Sequence, residues 1–200
     1  MVQEYDFLII GGGIAGMSYA LSVANSGKGK VALVCKTTLD EANTAKAQGG
    51  IASVTNLAVD NFEKHINDTM IAGDYISDRA AVEQVVRNAP KAIQSLVNWG
   101  VNFDKKQNGE YDLHREGGHC EFRILHHQDD TGFEIQRGLM AAVLKHPNIK
   151  VLENPYARPG QKKQGRERKS KARKNKKWKS RTTPKAPKKH TPGRGHRKYK

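Results

Sequence analysis

A short apolar run that leads directly into a glycine-rich turn is the feature that most constrains this chain. Phe7 to Ile10 predict a strand covered on both faces, and glycines follow at positions 11, 13 and 16. Met17 to Asn25 then predict a helix that stops at Gly27, and Lys30 to Cys35 predict a second strand. This strand, turn, helix and strand order is typical of a domain that holds a dinucleotide pyrophosphate at the helix N-terminus.

Each glycine of the turn has a distinct physical role in such a domain. Gly11 permits the tight turn, Gly13 lets the backbone approach phosphate oxygens, and Gly16 lets the helix pack closely on the strand. An ordinary strand–turn–helix could use the same glycines for packing alone. The two flanking strands favour the nucleotide-binding interpretation.

The end of the second strand departs from the usual dinucleotide pattern. A plain Rossmann unit offers an Asp or Glu about 20 residues past the glycines, whereas this strand ends in Cys35 and Lys36, with no carboxylate until Asp40. Either the site is degenerate or it belongs to a family that departs from the rule. The polar stretch from Asn43 that ends in the pair Gly49 and Gly50 favours the second interpretation, because it can lay backbone amides along a flat ring system.

Several longer motifs occur in one order along the chain. They are GGGIAG, VCK, AQGGIA, DTMIAGDYISDRAAVE, WGVNFD, REGGHCEFRILH and DDTGFEIQRGL. On these motifs the chain resembles the flavoprotein subunits of succinate dehydrogenase and fumarate reductase together with L-aspartate oxidase, over about residues 1–154. The resemblance implies an α/β fold, a doubly wound Rossmann-like FAD-binding domain that is incomplete here, and FAD as the cofactor.

Two positions indicate the branch of this family. The dehydrogenases and membrane fumarate reductases carry a His that bonds covalently to the flavin, where this chain has Asn43, so the resemblance implies noncovalent FAD. Lys36 is expected near the adenosine ribose. The predicted FAD contacts are Gly11, Gly12, Gly13, Ile14, Ala15, Gly16, Lys36, Asn43, Thr44, Ala45, Lys46, Ala47, Gln48, Gly49 and Gly50.

Glu116 is the second position, because the dicarboxylate enzymes carry an apolar residue there. An acidic group suits a substrate that brings a positive charge, as the α-ammonium of L-aspartate does. The alternative is that Glu116 is a solvated loop residue paired with Arg115. With the resemblance, we favour the substrate-binding role.

The implied activity is oxidation of L-aspartate to iminoaspartate, with hydride transfer to FAD, on the route to quinolinate and NAD. Oxygen or fumarate would reoxidise the flavin. One alternative is a fumarate reductase or succinate dehydrogenase subunit. The family's catalytic Arg and its capping domain have no counterpart in this sequence, so we expect no catalytic residue here and an inactive, truncated enzyme.

The chain between the cofactor motifs predicts helices. Asp60 to Ala72 carries a core-facing stripe of Phe62, Ile66, Met70 and Ile71. Asp78 is a predicted N-cap, with Val82, Val85 and Val86 on one face of the helix that follows.

Three further elements complete the predicted secondary structure. The helix after Asp78 is expected to span Arg79 to Asn88, and Pro90 to begin a new one that ends before Gly100. Thr131 to Glu134 predict a capping box for a helix to about Leu144, and Ile149 to Glu153 predict a strand.

Four histidines, at positions 114, 119, 126 and 127, suggest a metal, but no HxxxH or CxxC spacing supports one, so we predict none. His119 is expected to line the flavin or substrate side of the pocket, and Arg123 to form a structural ion pair. Cys35 and Cys120 lie in no disulfide framework, which indicates a reducing compartment or indifference to redox state.

The last 44 residues differ in kind from residues 1–156, the expected FAD-binding part. Residues 157–200 contain 20 Lys and Arg against one Glu, and no Val, Ile, Leu, Phe or Met, which predicts a disordered basic tail. A frameshift or truncation is our preferred origin; a real fusion is the alternative. Such a polycation would bind nucleic acid nonspecifically by releasing counterions, which gives a nonenzymatic nucleic-acid binder as the alternative function.

No apolar run reaches the length of a transmembrane helix, and the N-terminus does not have the pattern of a signal peptide. We therefore expect a cytoplasmic protein with no membrane partner. The sequence leaves the oligomeric state open.

Overall fold

The computed structural model describes residues 3–154, and its largest sheet is parallel. Strands β1 (Phe7–Ile10), β2 (Val31–Cys35) and β6 (Ile149–Glu153) pair in the order β1-β2-β6. Helix α1 (Ile14–Asn25) connects β1 to β2, which confirms the predicted βαβ unit, although α1 begins three residues earlier than predicted. Gly27 follows the helix with a φ of +69°, a conformation that favours glycine.

One face of this sheet carries the core. The register aligns Ile9 with Leu33 and Leu33 with Val151, so their side chains project to the same side. Helix α4 (Thr131–Lys145) and α1 pack against each other and against this side. Buried members of the resulting cluster are Ile9, Met17, Leu21, Val31, Leu33, Leu139, Val143 and Ile149.

On the opposite face of the sheet, β1 is open in the part of the chain described. Leu8 is 66% exposed and Ile10 is 81% exposed, so the prediction that β1 is covered on both faces is wrong for residues 3–154. The apolar run that suggested burial supplies only alternate residues, Phe7 and Ile9, to the core. The second helical layer of a doubly wound fold is not among the described residues.

A second, antiparallel sheet is built from three short strands that lie between β2 and β6 in the chain. It consists of β3 (Ile51–Ala52), β4 (Leu113–His114) and β5 (Ile124–Leu125), with β5 in the middle. Ile51 and Leu113 both pair with Leu125. The sheet therefore brings the segment around Gly50 next to the segment that leads to Glu116. The sequence did not predict these strands, because two residues are too few to show a period-two pattern.

Helices α2 (Phe62–Ala72) and α3 (Arg79–Asn98) pack together, with Ile66, Met70 and Val86 buried between them. The Asp78 N-cap is confirmed, because its carboxylate accepts from the N–H groups of Ala80 and Ala81. Two stripe predictions are wrong. Ile71 is 61% exposed and Val85 is 69% exposed, because each lies at the edge of its helix's buried face.

The prediction of two helices separated at Pro90 is also wrong, since α3 runs unbroken through this proline. Val86, Ile93 and Leu96 are buried at spacings of seven and three residues, so one apolar stripe crosses the proline. This shared burial holds the helix together although Pro90 offers no N–H to the preceding turn.

The predicted capping box at the start of α4 does not form. Asp130 occupies the N-cap without a side-chain bond, and Thr131 is already helical. The Thr131 Oγ1 accepts from the His127 N–H at 3.1 Å, while Glu134 bonds Asn102 instead of reaching back to the cap. Thr131 therefore has a local partner four residues away and Glu134 a distant one, so the two groups do not form the box.

Candidate functional site

The turn after β1 is built from backbone contacts that only glycine permits. Gly11 has a φ of +115°, and its N–H donates to the Val34 carbonyl at 2.8 Å, which ties the turn to β2. A Cβ on Gly16 would collide with the Gly11 carbonyl oxygen. The close approach of α1 to the turn therefore requires Gly16, as its place in the motif predicts.

The N-terminus of α1 faces this turn without a side-chain cap. Gly13 is the N-cap residue and has no side chain that could cap the helix, and no acidic residue lies in the first turn. The first N–H groups of a helix have no partners inside the helix and carry the positive end of its dipole. Such an end suits a phosphate group.

Thr44 reaches this helix end from a distant segment. Asn43 precedes a 3₁₀ helix, Thr44–Lys46, and the Thr44 Oγ1 accepts from the Ile14 N–H at 3.0 Å. A Cβ on Gly13 would lie 3.3 Å from the same hydroxyl oxygen. The predicted contacts Gly13, Ile14 and Thr44 are thus adjacent in space.

A cavity of about 310 Å³ opens beside the turn. Part of its wall is the loop after β2, which Glu153 holds by accepting from the Leu39 N–H at 2.7 Å. The lining includes the predicted residues Gly11, Gly12, Gly13, Lys36, Asn43 and Thr44. The structure therefore brings these six positions together around one space.

Cys35 lies against the turn as a packing residue. A Cβ on Gly12 would stand 2.7 Å from the Cys35 Sγ, so this position also excludes larger side chains. Burial, with a smaller contribution from the Glu153 carboxylate, raises the pKa of the Cys35 thiol. The buried thiol is therefore neutral and unreactive.

Gln136 is a residue of the site that the sequence analysis missed. It is 2% exposed on α4, and its Nε2 donates to the Gly12 carbonyl at 2.9 Å and to the Leu39 carbonyl at 2.6 Å. The side chain therefore fastens the glycine turn to the loop after β2. The only available signal was a polar residue beside the apolar stripe of Ile135 and Leu139, which carries no information about its partners.

A second cavity, of about 340 Å³, contains the predicted substrate residue. Glu116 lines it together with Gln48, Gly49 and Gly50, and a Cβ on Gly49 would lie 4.0 Å from the Glu116 Oε1. Glu116 is therefore next to the glycine pair although 66 residues or more separate them in sequence.

The remaining predicted cofactor residues lie elsewhere. Ala15 is in the first turn of α1, and Ala45 and Lys46 belong to the 3₁₀ helix. The Ala47 carbonyl accepts from the Gly132 N–H at 3.0 Å. The segment between the two cavities is thus held against the N-terminus of α4.

A buried ion cluster supports the loop that carries Glu116. Arg123 is fully buried and forms two bonds of 2.8 Å with Asp60 and one of 2.5 Å with Asp68, which confirms the expected structural ion pair. The Cys120 N–H donates to the Asp68 carboxylate at 2.9 Å. Asp60 precedes α2 and Asp68 lies within it, so the cluster fastens this helix to the loop.

The cluster changes the charge states of its members. Burial raises the pKa of Asp68, but bonds from the Cys120 N–H and from Arg123 outweigh it, so the pKa lies below its usual value. Burial, and then the Arg123 and His119 charges, lower the pKa of His65. His65 is therefore neutral near pH 7, and its ring meets His119 edge-on at 6.1 Å between centroids.

His119, expected on the flavin or substrate side, thus contacts α2, and it is not among the residues that line the two cavities of residues 3–154 described above.

Comparison with known proteins identifies the matching family model as the FAD binding domain, over residues 6–159. The chloroplastic L-aspartate oxidase 2-a of Nicotiana tabacum is 44% identical over 155 residues, which cover 78% of this chain and 24% of that protein. The L-aspartate oxidase of Vibrio cholerae is 44% identical over 156 residues, covering 76% and 29%. The chain spans about a quarter of the length of these relatives.

Solved structures show the same fold. An E. coli quinol fumarate reductase has a TM-score of 0.71 and 30% identity, over 75% of this chain and 26% of that one. Mycobacterium smegmatis Sdh1 has a TM-score of 0.70 and 29% identity, over 76% and 28%.

Proposed function

The chain belongs to the FAD binding domain family, and from that premise we propose that it is the part of an L-aspartate oxidase that holds FAD without a covalent bond. FAD is the cofactor of the family. The observation that best supports the site is the cavity beside the N-terminus of α1, because six of the predicted contacts line it and the N-cap residue Gly13 has no side chain. In this proposal, Gly11 to Gly16 hold the pyrophosphate and Lys36 lies near the adenosine ribose.

The absence of a covalent bond follows from Asn43, because a carboxamide is not the nucleophile that a histidine ring is. Acid precipitation of the FAD-loaded chain should leave all the flavin in the supernatant. Flavin retained in the protein pellet would contradict this part of the proposal.

We also propose that L-aspartate is the substrate and that Glu116 binds its ammonium group. The 44% identity to L-aspartate oxidases and the position of Glu116 beside Gly49 support this assignment. In the proposed reaction, FAD held by Gly11 to Gly16 and the neighbouring contacts would accept the Cα hydride of L-aspartate. The ammonium bound by Glu116 would release two protons as it becomes the neutral imine of iminoaspartate. The flavin supplies this redox chemistry, and the protein binds and orients the reactants.

Binding of L-aspartate tests the role of Glu116 directly. L-aspartate affinity can be measured from the change that the amino acid induces in the flavin absorption spectrum. Glu116→Gln should lower this affinity by about tenfold or more, because it removes a charge-assisted hydrogen bond. Glu121→Gln is the matched control. Glu121 lies on the same loop but pairs with Lys64 at 2.7 Å, so L-aspartate binding should not change.

Loss of binding in both variants, or in neither, would refute the role of Glu116. Retention of FAD by each variant separates this result from a failure of the cofactor site.

The second candidate is a fumarate reductase or succinate dehydrogenase subunit, which the solved structures at 29–30% identity favour. Succinate lacks the ammonium group, so the same titration separates the two. A flavin response to succinate or fumarate that survives Glu116→Gln, without any response to L-aspartate, would favour this candidate.

Two further proposals rest on sequence alone. Residues 157–200 lie outside the described part, and only their charge supports nonspecific nucleic-acid binding. Deletion of these residues should abolish salt-sensitive DNA binding and leave FAD affinity unchanged.

Within residues 3–154, no helix is long and apolar enough to cross a membrane. The cytoplasmic location is a proposal that fractionation of the native cell would test.

A further inference from the structure

Three potential metal ligands converge where the small antiparallel sheet meets the second cavity. Asp112 precedes β4, His114 is the last residue of β4, and His126 follows β5. Donor atoms of the three side chains all lie within 4.8 Å of one another. The antiparallel pairing of β4 with β5 places these residues side by side, because His114 pairs with Ile124.

His126 is the buried member of this group. It is 8% exposed, and neither ring nitrogen has a hydrogen-bond partner among the described residues. A buried imidazole with two unpaired nitrogens is costly, because both nitrogens have lost water without gaining a partner. The surroundings of each nitrogen therefore indicate what would satisfy it.

The two nitrogens face different carboxylates. Nδ1 lies 3.4 Å from an Asp104 oxygen, and Nε2 lies 4.0 Å from an Asp112 oxygen. The longer distance exceeds a direct hydrogen bond. Two ligand atoms at about 2.0–2.2 Å from one tetrahedral zinc ion stand roughly 3.3–3.6 Å apart. A small inward shift of the partly exposed Asp112 carboxylate therefore lets one cation bind both groups.

Asp104 then takes the place of the carboxylate that orients a metal-bound histidine. A metal-ligating His commonly donates its other ring N–H to a carboxylate, which fixes the tautomer and makes the ligating nitrogen more basic. Asp104 is on the Nδ1 side of His126 and also lies 3.3 Å from His127 Nδ1. A carboxylate on one side of the imidazole and a second carboxylate across a gap on the other is an arrangement that suits a bound cation.

His114 supplies the third donor from the solvent side. Its ring stacks on that of His126, with centroids 3.7 Å apart and planes 21° apart. Imidazole donates from within its ring plane, so the His114 ring must turn before both nitrogens meet at one ion. His114 is exposed and borders both the second cavity and a cavity of about 900 Å³, which leave room for this rotation and for entry of an ion.

We propose that Asp112, His114 and His126 bind a divalent transition-metal ion, with Zn²⁺ as the occupant and Asp104 as the residue that orients His126. Two imidazoles and one carboxylate form a ligand set that zinc accepts, with the fourth position left for water. The bound ion would join β4 to the end of β5 and so stiffen the wall of the cavity that contains Glu116. This site does not depend on the proposed flavin function.

The proposal departs from the expectation that no metal binds. Sequence spacing could not indicate the site, since the ligands at positions 112, 114 and 126 form no compact motif. They become neighbours only through the pairing of β4 with β5.

Isothermal titration calorimetry of the full, metal-free chain with Zn²⁺ tests the site. We expect one ion per chain, with affinity reduced at least tenfold by Asp112→Asn and by His114→Ala. Asp104→Asn should reduce affinity about 10–100-fold, as expected for a residue behind the ligand. Glu110→Gln, on the same loop, and His146→Ala are matched controls that should bind as the parent chain does.

Co²⁺ provides a second measurement, because its visible absorption reports low-coordinate nitrogen and oxygen ligation directly. The parent chain and both controls should show this absorption, whereas Asp112→Asn and His114→Ala should not. Circular dichroism checks that each variant folds, and both substitutions are at partly or fully exposed positions. Equal Zn²⁺ binding by the parent and the ligand variants, or no one-to-one binding by the parent, would overturn the proposal.

Discussion

The glycine turn and the Arg123 cluster solve the same problem, which is to hold a ligand-facing loop in place, by opposite physical means. The turn from Gly11 to Gly16 is held by close packing and by neutral hydrogen bonds, including those of Gln136. The loop around Glu116 is held by a buried cation between two carboxylates. One region depends on the absence of side-chain atoms and the other on charges that cannot be left unpaired.

This difference teaches where each region is fragile. A closely packed glycine leaves no room for an added methyl group. The backbone can shift to accommodate one, and this relaxation limits the stability that the protein loses. A buried ion pair tolerates no missing partner, because the remaining charge stays in a medium that solvates it poorly. The largest effects of mutation should therefore fall in the charged cluster.

The first prediction concerns Asp60, which binds Arg123 through both carboxylate oxygens. Asp60→Ala should lower the free energy of unfolding by about 3–5 kcal/mol, since it leaves the fully buried guanidinium with one carboxylate fewer. Urea denaturation measures the change. Glu63→Gln is the control, because Glu63 pairs with arginines on an exposed surface, and its loss should stay within about 0.5 kcal/mol.

Equal losses for Asp60→Ala and Glu63→Gln would contradict the assignment of stability to burial of the cluster.

The second prediction tests the glycine turn. Gly16→Ala should weaken FAD binding at least tenfold and cost about 1–3 kcal/mol of stability, because the new methyl group displaces the Gly11 carbonyl. Fluorescence titration of FAD measures the affinity. Gly117→Ala is the matched control, since no atom lies within 4 Å of its added Cβ and its φ lies outside the left-handed region.

Should Gly16→Ala bind FAD as the parent chain does, close packing would not be what holds the turn.

The third prediction concerns Gln136, the neutral counterpart of Arg123. Gln136→Leu removes both hydrogen bonds and leaves the Gly12 and Leu39 carbonyls unpaired, at a cost of about 1–2 kcal/mol. FAD affinity should fall with it, because the turn and the loop after β2 lose their link. Gln94→Leu, which removes only an exposed bond to Asn98, should change neither quantity.

An unchanged FAD affinity in Gln136→Leu would show that Gln136 is a core residue without influence on the site.

The smallest predicted effect is a pH dependence from the charged region. The pKa of His65 is lower in the folded chain than in the unfolded chain, chiefly because of burial. The unfolded chain then binds more protons, so the stability contribution is complete above a pH of about 6.5 and declines as the pH falls below it. Denaturation midpoints between pH 7 and pH 5 should show this decline, and His65→Gln should reduce it.

His146→Gln, at a partly exposed position, should retain the full decline, and a flat profile for the parent chain would refute the prediction. Asp68 and Glu134 should lower the stability further below a pH of about 4.5, because the pKa of each carboxyl is also lower in the folded chain than in the unfolded chain.

The two regions also differ in what the sequence could predict. The βαβ unit and the role of Gly16 follow from local spacing, since the strand, turn and helix are consecutive. The partners of Arg123 lie 55 and 63 residues away, and Gln136 bonds a carbonyl 124 residues away. No local pattern contains such contacts, because tertiary packing alone creates them.

The errors have physical causes of the same kind. The unbroken α3 reflects burial that outweighs the local effect of Pro90. The capping box fails because Thr131 bonds the nearby His127 N–H and Glu134 bonds the distant Asn102. The exposed Leu8 and Ile10 show that an apolar run does not specify which faces of a strand are covered in the described part of the chain. In each case the outcome depended on contacts that the local pattern does not specify.

The hydrogen bond from Ile14 to Thr44 has a consequence for the energetics of cofactor exchange. The Thr44 hydroxyl satisfies a helix donor that a phosphate oxygen could also take, so this helix end carries less unmet polarity. A phosphate that takes the Ile14 N–H must displace this resident acceptor, and the hydroxyl must then find another donor or acceptor. The contribution of the Ile14 N–H to FAD affinity is therefore the difference between its hydrogen bond to a phosphate oxygen and its hydrogen bond to the Thr44 hydroxyl.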